Sequence, residues 1–563
     1  MRFRTSFWLA VLGAIAAHAQ TPAAGVPPLK KIETGPRVGI STMVKITLEE
    51  VIERVLAANT DLAVARVETD KALFAVRGAL GAYDPVVGME THRLRSVTPA
   101  ASVLQGGVDG KLTSEEWGAT PQIGGLLPEL GGSYSLAFSN LRQTTDNAFS
   151  TLNPQYPTSL QLTWKQPLWR GLHFDEARHT IAVARKNRQL TMEQLRQRVT
   201  DVVTQAVQAY WELDYAWQSF QVQTEAVHLA EQQYESNRRQ AEQGTLAPVD
   251  VVAAQTQVAT FQQAVFGAQQ ALTEAENNLK MMMLPNREDP LWNASLEPET
   301  QWKAEANVPE LADAVKGALA SRPELAESEL AITINKLDEM LAREQTKPRV
   351  DAFANLSTTG LAGKQFISSS NTLTSGFTPL ITLLNQLAAL NGLQPVTSLS
   401  FGTGDVPKMF LGSYAQSLSN LYSGTFPAVE VGLQVQLPLR NRTAQAQAAT
   451  AAAEGKRLRA LRDQARMLVE REVRNALQSA ATTQARLEAA GVARRSAQEQ
   501  YASEQRQFQA GTSTVFLVFQ RQTDFIAARS REVRARADAA EAAAMLDRAI
   551  ARTIETHGIR IEQ

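Results

Sequence analysis

Two stretches of this chain repeat one another and decide how the rest is interpreted. They read YESNRRQAEQGTLAPVDVVAAQTQ (residues 234–257) and YASEQRQFQAGTSTVFLVFQRQTD (residues 501–524), 267 residues apart. Each has a Gly ten positions after its Tyr, Gly244 in the first and Gly511 in the second, and a Thr follows each Gly. Helices commonly end on a Gly in the left-handed conformation. Each stretch therefore predicts a helix, a tight turn and a second helix.

Long segments without Pro precede both turns. The first, residues 173–243, carries an apolar stripe whose members are alternately four and three positions apart. The same stripe recurs 267 positions later, in residues 440–510. A 3.5-residue spacing is the signature of coiled coils. The sequence therefore predicts long antiparallel coiled-coil helices, one in each half of an internal two-fold repeat.

The repeat also sets the expected domain organisation. The first repeat (46–284) is expected to contain a short helix (47–83), a β insert (85–167), a long helix (173–243), the Gly turn and a short helix (249–284). The second repeat (309–557) is expected to contain the matching segments 309–347, 349–439, 440–510 and 515–557. The remaining segments are an N-terminal linker (20–45), an equatorial linker between the repeats (285–308) and a C-terminal tail (558–563).

The N-terminus predicts export. Residues 1–19 combine two Arg residues, a short apolar run and a small-residue Ala-His-Ala end, which is the pattern of a cleaved signal peptide. The chain has no Cys, and no later run is long and apolar enough to suggest a membrane-spanning helix. These features favour a periplasmic, secreted or outer-membrane protein. The net charge of −1 without a basic block argues against a nucleic-acid partner.

The two β inserts contain amphipathic strands. Four stretches alternate apolar and polar residues, namely DPVVGMETHRLRS, SLQLTWKQPLW, RVDAFANLSTTG and FPAVEVGLQVQLPL. Strands of about ten residues suit a membrane β-barrel, but closure needs about eight strands. Three copies would supply twelve strands. Residues 115–142 are expected to form either an extracellular hairpin, which we favour, or extra barrel strands, and residues 361–424 an external loop.

Taken in order, these features resemble the TolC family of outer-membrane efflux channels. The resemblance rests on TLEEVIERVLAANTDL at residue 47, on YPTSL and QPLWRG around residues 156–171, and on the two Gly turns. It implies a mainly α protein with a membrane β-barrel: a homotrimer with a 12-stranded barrel in the outer-membrane lipid and a coiled-coil tunnel in the periplasm. It further implies a periplasmic adaptor and an inner-membrane pump as partners, in a Gram-negative-type cell envelope.

The same resemblance points to residues at the periplasmic end of the tunnel. The turns are candidate docking sites for the adaptor, at Gly244, Thr245, Gly511 and Thr512. Members of the family often carry two acidic residues after the second turn, which form a ring at the channel mouth. Here Leu517 and Gln520 occupy those two positions, which disfavours a carboxylate filter.

Three further residues are candidates for the gate at the mouth. Phe516 and Phe519 either form an apolar constriction that gates by dewetting or pack between helices. Asp250 aligns with Leu517 under the 267-residue offset. It either faces the mouth or lies in the first turn of its helix, where the helix dipole favours an acidic residue.

No catalytic pattern accompanies these features, so the sequence predicts a protein that is not an enzyme and needs no cofactor or metal. The leading hypothesis is the passive channel of a tripartite efflux system, gated at its periplasmic mouth. Two alternatives stay open: the outer-membrane component of type I protein secretion, and a periplasmic coiled-coil scaffold without a pore.

Overall fold

Helices make up most of the chain. The computed structural model describes residues 37–101, 110–302, 309–366, 372–395 and 406–560. The predicted signal peptide (1–19) lies outside these ranges, as do residues 303–308 of the equatorial linker and 561–563 of the tail. Within the described ranges, none of the helices combines the length and the apolar run that crossing a membrane requires.

Two very long helices, α3 and α9, dominate the element order. They contain 67 and 68 residues. The helices are α1 (Leu48–Ala58), α2 (Thr60–Leu80), α3 (Glu176–Glu242), α4 (Pro248–Met283), α5 (Leu311–Ser321), α6 (Pro323–Thr346), α7 (Thr372–Leu390), α8 (Tyr414–Tyr422), α9 (Arg442–Gln509), α10 (Val515–Ala549) and α11 (Thr553–Thr556).

Each of the short helices expected at 47–83 and 309–347 is instead a pair of helices. In the first, the Asn59 side-chain oxygen accepts hydrogen bonds from two backbone N–H groups of α2, at 2.9 and 3.3 Å, and so starts a new helix. In the second, Pro323 opens α6, and a Pro disfavours helical geometry in the residue before it, Arg322. A capping side chain in one case and a Pro in the other therefore override the continuous apolar pattern.

The described strands form two sheets. They are β1 (Thr42–Ile46), β2 (Val86–Pro99), β3 (Lys111–Leu126), β4 (Ser133–Thr145), β5 (Leu152–Pro167), β6 (Ala294–Pro298), β7 (Arg349–Gln365) and β8 (Pro427–Gln436). β1 and β6 pair in parallel. The others form one antiparallel sheet in the order β2-β3-β4-β5-β7-β8, with no pairing between β2 and β8 among the described residues.

The strand count differs from the sequence-based expectation of four. β3 and β4, which cover residues 115–142, are full members of the six-stranded sheet rather than an extracellular hairpin. Their connecting turn lies at the end of β5, where the Gln166 side chain donates a hydrogen bond to the Leu130 carbonyl at 2.7 Å. The four strands per chain assumed for the 12-stranded barrel, and the extracellular hairpin, are therefore wrong. Part of the expected external loop at 361–424 is also helical, as α7 and α8.

The chain divides into two compact units. The helical unit comprises the described parts of residues 1–64, 197–322 and 468–562, and the sheet unit those of residues 65–196 and 323–467. The helical unit contains both Gly turns, whereas the sheet unit contains the whole six-stranded sheet.

Candidate functional site

The first candidate docking turn joins α3 to α4. Gly244 has a φ of +76°, and its N–H donates to the Ala241 carbonyl at 3.0 Å. The Thr245 N–H and hydroxyl both donate to the Gln240 carbonyl at 2.9 Å. This is the Schellman arrangement, which satisfies carbonyls that a helix end leaves free. α4 then begins at Pro248, a position where the missing N–H of Pro is not needed.

The second turn, between α9 and α10, repeats this geometry. Gly511 also has a φ of +76°, and its N–H donates to the Phe508 carbonyl at 3.0 Å. The N–H and hydroxyl of Thr512 donate to the Gln507 carbonyl at 3.0 and 3.1 Å. A Cβ on the Gly of either turn would meet nothing within 4 Å. The left-handed φ, rather than a lack of space, therefore explains both glycines.

Both turns adjoin one apolar cluster, which we call the tip cluster. It consists of Val222, Ala226, Ala230, Tyr234, Val251, Ala254, Val258, Phe261, Tyr501, Val515, Val518, Phe519, Phe525, Ile526 and Val533. Leu246 after the first turn and Phe508 before the second pack against it. The Gln257 side chain on α4 also donates to the Thr523 hydroxyl on α10 at 3.1 Å. The two turns are therefore brought together by α3, α4, α9 and α10.

The two candidate gate phenylalanines have different surroundings. Phe516 is 73% exposed in the protomer, whereas Phe519 is 9% exposed and belongs to the tip cluster. Phe519 therefore packs between helices, as one of the two interpretations of the sequence expected. Phe516 presents its ring to the surface.

The first repeat also has an exposed apolar residue at the position that corresponds to Phe516 under the 267-residue offset. Val249, level with Phe516, is 69% exposed, whereas their neighbours Val251 and Val518 are fully buried. The sequence interpretation missed Val249, although the offset that aligns the turns would have found it. Each repeat therefore exposes an apolar side chain at this position just beyond its turn.

The remaining mouth candidates lie on the same two helix starts. Asp250 is partly buried in the first turn of α4, a position that the helix dipole favours for an acidic residue. Leu517 is 37% exposed, and Gln520 is exposed. In the described residues, no group of three or more His, Asp or Glu side chains is placed to hold a metal ion.

Carboxylates gather around Arg534 in the helical unit. Its guanidinium lies 2.6 Å from Glu212, 2.7 Å from Asp538 and 3.9 Å from Glu541, above the ring of Tyr215. The pKa of Glu541 is raised to about 7, mainly by burial; the Arg534 charge opposes this rise, and the charges of Glu212 and Asp538 add to it. Because burial outweighs the attraction of Arg534, Glu541 binds a proton near neutral pH.

Replacing Glu541 with Gln should therefore flatten the pH dependence of stability. The folded carboxyl binds its proton more tightly than the unfolded one, so its contribution is fully present below about pH 4.5 and is lost as the pH rises through about 7. At pH 8 we expect Glu541→Gln to be more stable than the wild type, by on the order of 2 kcal/mol. Thermal unfolding in detergent from pH 4.5 to 8 measures this. Glu225→Gln, which removes an exposed partner of Arg529, should change little.

Comparison with known proteins places this chain in a family. The profile described as outer membrane efflux protein matches residues 123–283 and 408–552, more than half of the chain. No match to a curated protein sequence was found. The fold is similar to the CmeC outer membrane channel of Campylobacter jejuni, with a TM-score of 0.61, 13% identity and coverage of 90% of this chain and 86% of that one.

Two further channels have a similar fold. The outer membrane protein VceC of Vibrio cholerae matches with a TM-score of 0.58 and 15% identity, over 89% of this chain and 95% of that one. The open state of the MtrE outer membrane channel of Neisseria gonorrhoeae matches with a TM-score of 0.55 and 14% identity, over 89% and 88% of the two chains. These identities support the fold alone, whereas the family profile covers most of both helix–turn–helix segments. The chain therefore belongs to the outer membrane efflux protein family and is a TolC-like outer-membrane efflux protein.

Proposed function

We propose that this protein is the outer-membrane channel of a tripartite efflux system, a passive homotrimeric tube that carries solutes across the periplasm and the outer membrane. The observation that carries the proposal is the two-faced sheet. On β8, Val429, Val431 and Leu433 are 66–75% exposed on one face, while Glu430 and Gln434 lie on the other. An apolar outer face and a polar inner face are the pattern of a membrane barrel with a water-filled lumen.

The paired turns supply the docking surface in this proposal. Gly244 and Thr245 in one turn, and Gly511 and Thr512 in the other, form two matching exposed corners held by a shared apolar cluster. Such a rigid repeated surface suits a periplasmic adaptor whose tips bind at equivalent places around the trimer. The inner-membrane pump then provides the energy, and this chain provides the conduit.

Gating is proposed to occur beside these turns. Phe516 and Val249 expose apolar side chains on α10 and α4, and three copies would bring together six of them. A narrow apolar ring can exclude water and ions until it is widened. Leu517 and Gln520 carry no charge, so the closed mouth is expected to show little preference between cations and anions.

Single-channel conductance of the purified protein in a planar bilayer, together with its mass in detergent, tests the proposal. We expect a trimer with small openings and little cation preference. Strong cation selectivity would contradict the apolar gate and would direct attention to Asp250. A soluble oligomer without conductance would reject the channel and favour the coiled-coil scaffold.

The Phe516→Ala variant tests the gate itself. Removing an exposed ring from the proposed constriction should raise the resting conductance several-fold, because the dewetted ring becomes wider and less apolar. Val492→Ala, which truncates another exposed apolar side chain of the helical unit on α9, is the matched control and should leave conductance unchanged. Equal conductance in wild type and Phe516→Ala would place this ring in packing between copies.

A further inference from the structure

Six apolar residues, one from each strand, pair side by side across the whole sheet. The strand pairings place together Val87, Ile123, Leu136, Leu162, Leu356 and Val429. Their exposed fractions lie between 36% and 75%. The adjacent row, on the opposite face, is Gly88, Gln122, Ala137, Gln161, Ser357 and Ala428. At this level of the sheet, β3 and β4 therefore present an apolar residue on one face and a small or polar residue on the other, as the other four strands do.

The β3–β4 hairpin is also held against the rest of the sheet unit at its turn. Gly131 in this turn has a φ of +67°, and a Cβ there would lie 2.6 Å from the Gly171 carbonyl oxygen and 2.7 Å from the Asp175 carboxylate. Gly171 and Asp175 immediately precede α3. The hairpin turn therefore lies where β5 leads into α3, and β3 and β4 extend through the height of the sheet. With 16 and 13 residues, they are about as long as β2 and β5.

The two edges of the sheet need a partner. Among the described residues, β2 and β8 each pair on one side only. An open edge cannot face the hydrocarbon region of a membrane, and six strands are too few to close on themselves. Neighbouring strands alternate in direction, so β2 and β8 run antiparallel to each other. β8 of one copy can therefore pair with β2 of the next in the same antiparallel pattern.

We infer that this protein builds an 18-stranded barrel, six strands from each of three copies, with junctions between β8 and β2 of neighbouring copies. The inference rests on the proposed trimeric channel and specifies the number of strands in its barrel. Barrel diameter grows roughly linearly with strand number, so this barrel is about half as wide again as one of twelve strands. The barrel is therefore wider than the one that the family resemblance implies.

Single-site labelling separates this inference from the proposed function. The chain has no Cys, so Leu136→Cys and Ala137→Cys each introduce one labelling site, on opposite faces of β4. Each variant is labelled with an environment-sensitive fluorophore and reconstituted into liposomes. We expect a nitroxide lipid to quench the label at residue 136 strongly, and aqueous iodide to quench the label at residue 137. Iodide quenching of both labels in a conducting trimer would overturn the 18-stranded barrel and leave the channel intact, whereas a non-conducting preparation would reject the channel itself.

Disulfide cross-linking tests the junction directly. Val429→Cys on β8 is combined in turn with Thr91→Cys, Arg93→Cys or Arg95→Cys on β2, all on the outer face, because the pairing register must be staggered for a barrel to close. One of the three registers should give a covalent trimer after mild oxidation. The same β2 positions combined with Ala428→Cys, on the inner face, should give none. A conducting trimer that forms no covalent product in any outer-face combination would overturn the β8–β2 junction.

Discussion

Replacing Glu276 with Ala is expected to destabilise the helical unit by about 3–5 kcal/mol, the usual effect of removing one partner from a buried ion pair. The Glu276 side chain is 1% exposed, and its oxygens lie 2.5 and 2.8 Å from the guanidinium nitrogens of Arg37. One of them also accepts hydrogen bonds from the Ser295 hydroxyl at 2.9 Å and the Leu296 N–H at 3.0 Å. Glu276 therefore connects the first described residues, α4 and β6.

A second buried cation explains why this effect should be large. Lys280 is fully buried one helical turn after Glu276, 3.7 Å from its carboxylate. Burial lowers the pKa of Lys280, and Glu276 opposes that shift. The Lys280 ammonium also donates to the carbonyls of Trp292 and Ala294, at 3.2 and 2.5 Å. Without Glu276, Arg37 and Lys280 would both lose the carboxylate that balances their charges.

Thermal unfolding in detergent, followed by circular dichroism, measures this effect. Glu274→Ala is the control, because Glu274 is exposed on the same helix and accepts one hydrogen bond from Gln270. We expect the unfolding temperature to fall by several degrees in Glu276→Ala and to change little in Glu274→Ala. Equal unfolding temperatures for the two variants would show that the buried ion pairs do not hold this part of the helical unit together.

Replacing Phe519 with Ala is expected to cost about 3–5 kcal/mol, the range for truncating a buried Phe. Phe519 belongs to the tip cluster, whose members come from all four helices that flank the Gly turns. The cavity left by the ring should loosen the contact between α10 and its neighbours. The turns would then open locally before the rest of the helical unit unfolds.

Phe516→Ala gives a control with the same chemical change three positions earlier. Phe516 is 73% exposed, so its truncation should alter stability by no more than about 0.5 kcal/mol. Unfolding in denaturant and limited proteolysis at the turns measure both variants. Faster cleavage should follow only from Phe519→Ala. Equal destabilisation by the two variants would contradict the different burial of the two rings.

The breaks in the two short helices could be predicted only in part. Pro323 is a sequence signal for the break in the second short helix, because a Pro at a helix start leaves the preceding residue extended, although the apolar pattern predicted one continuous helix over 309–347. Asn59 did not indicate a break by itself. An Asn inside an apolar pattern starts a helix only when its side chain accepts hydrogen bonds from the backbone N–H groups that follow it. The local sequence allowed both a continuous helix and a break.

Whether strands β3 and β4 belong to the main sheet could not be decided from their own residues. β3 contains Gly118, Pro121, Gly124 and Gly125, which weaken the alternation that marks a strand. Tertiary contacts explain at least one of them, because a Cβ on Gly118 would lie 2.2 Å from the His92 ring on β2. A glycine that reads as a loop signal in isolation thus makes room for a neighbouring strand.

The sequence by itself determined the two-fold repeat, the long helices and the Gly turns, because helix periodicity and a left-handed Gly are local properties that one stretch of chain can encode. It also carried the family resemblance that the profile match confirms. Only the tertiary structure decided that the sheet has six strands and that Phe519 is buried while Phe516 is exposed. Residues three positions apart on a helix share nearly the same local pattern, and strand pairing depends on partners far along the chain. Burial and sheet membership therefore follow from packing between distant segments.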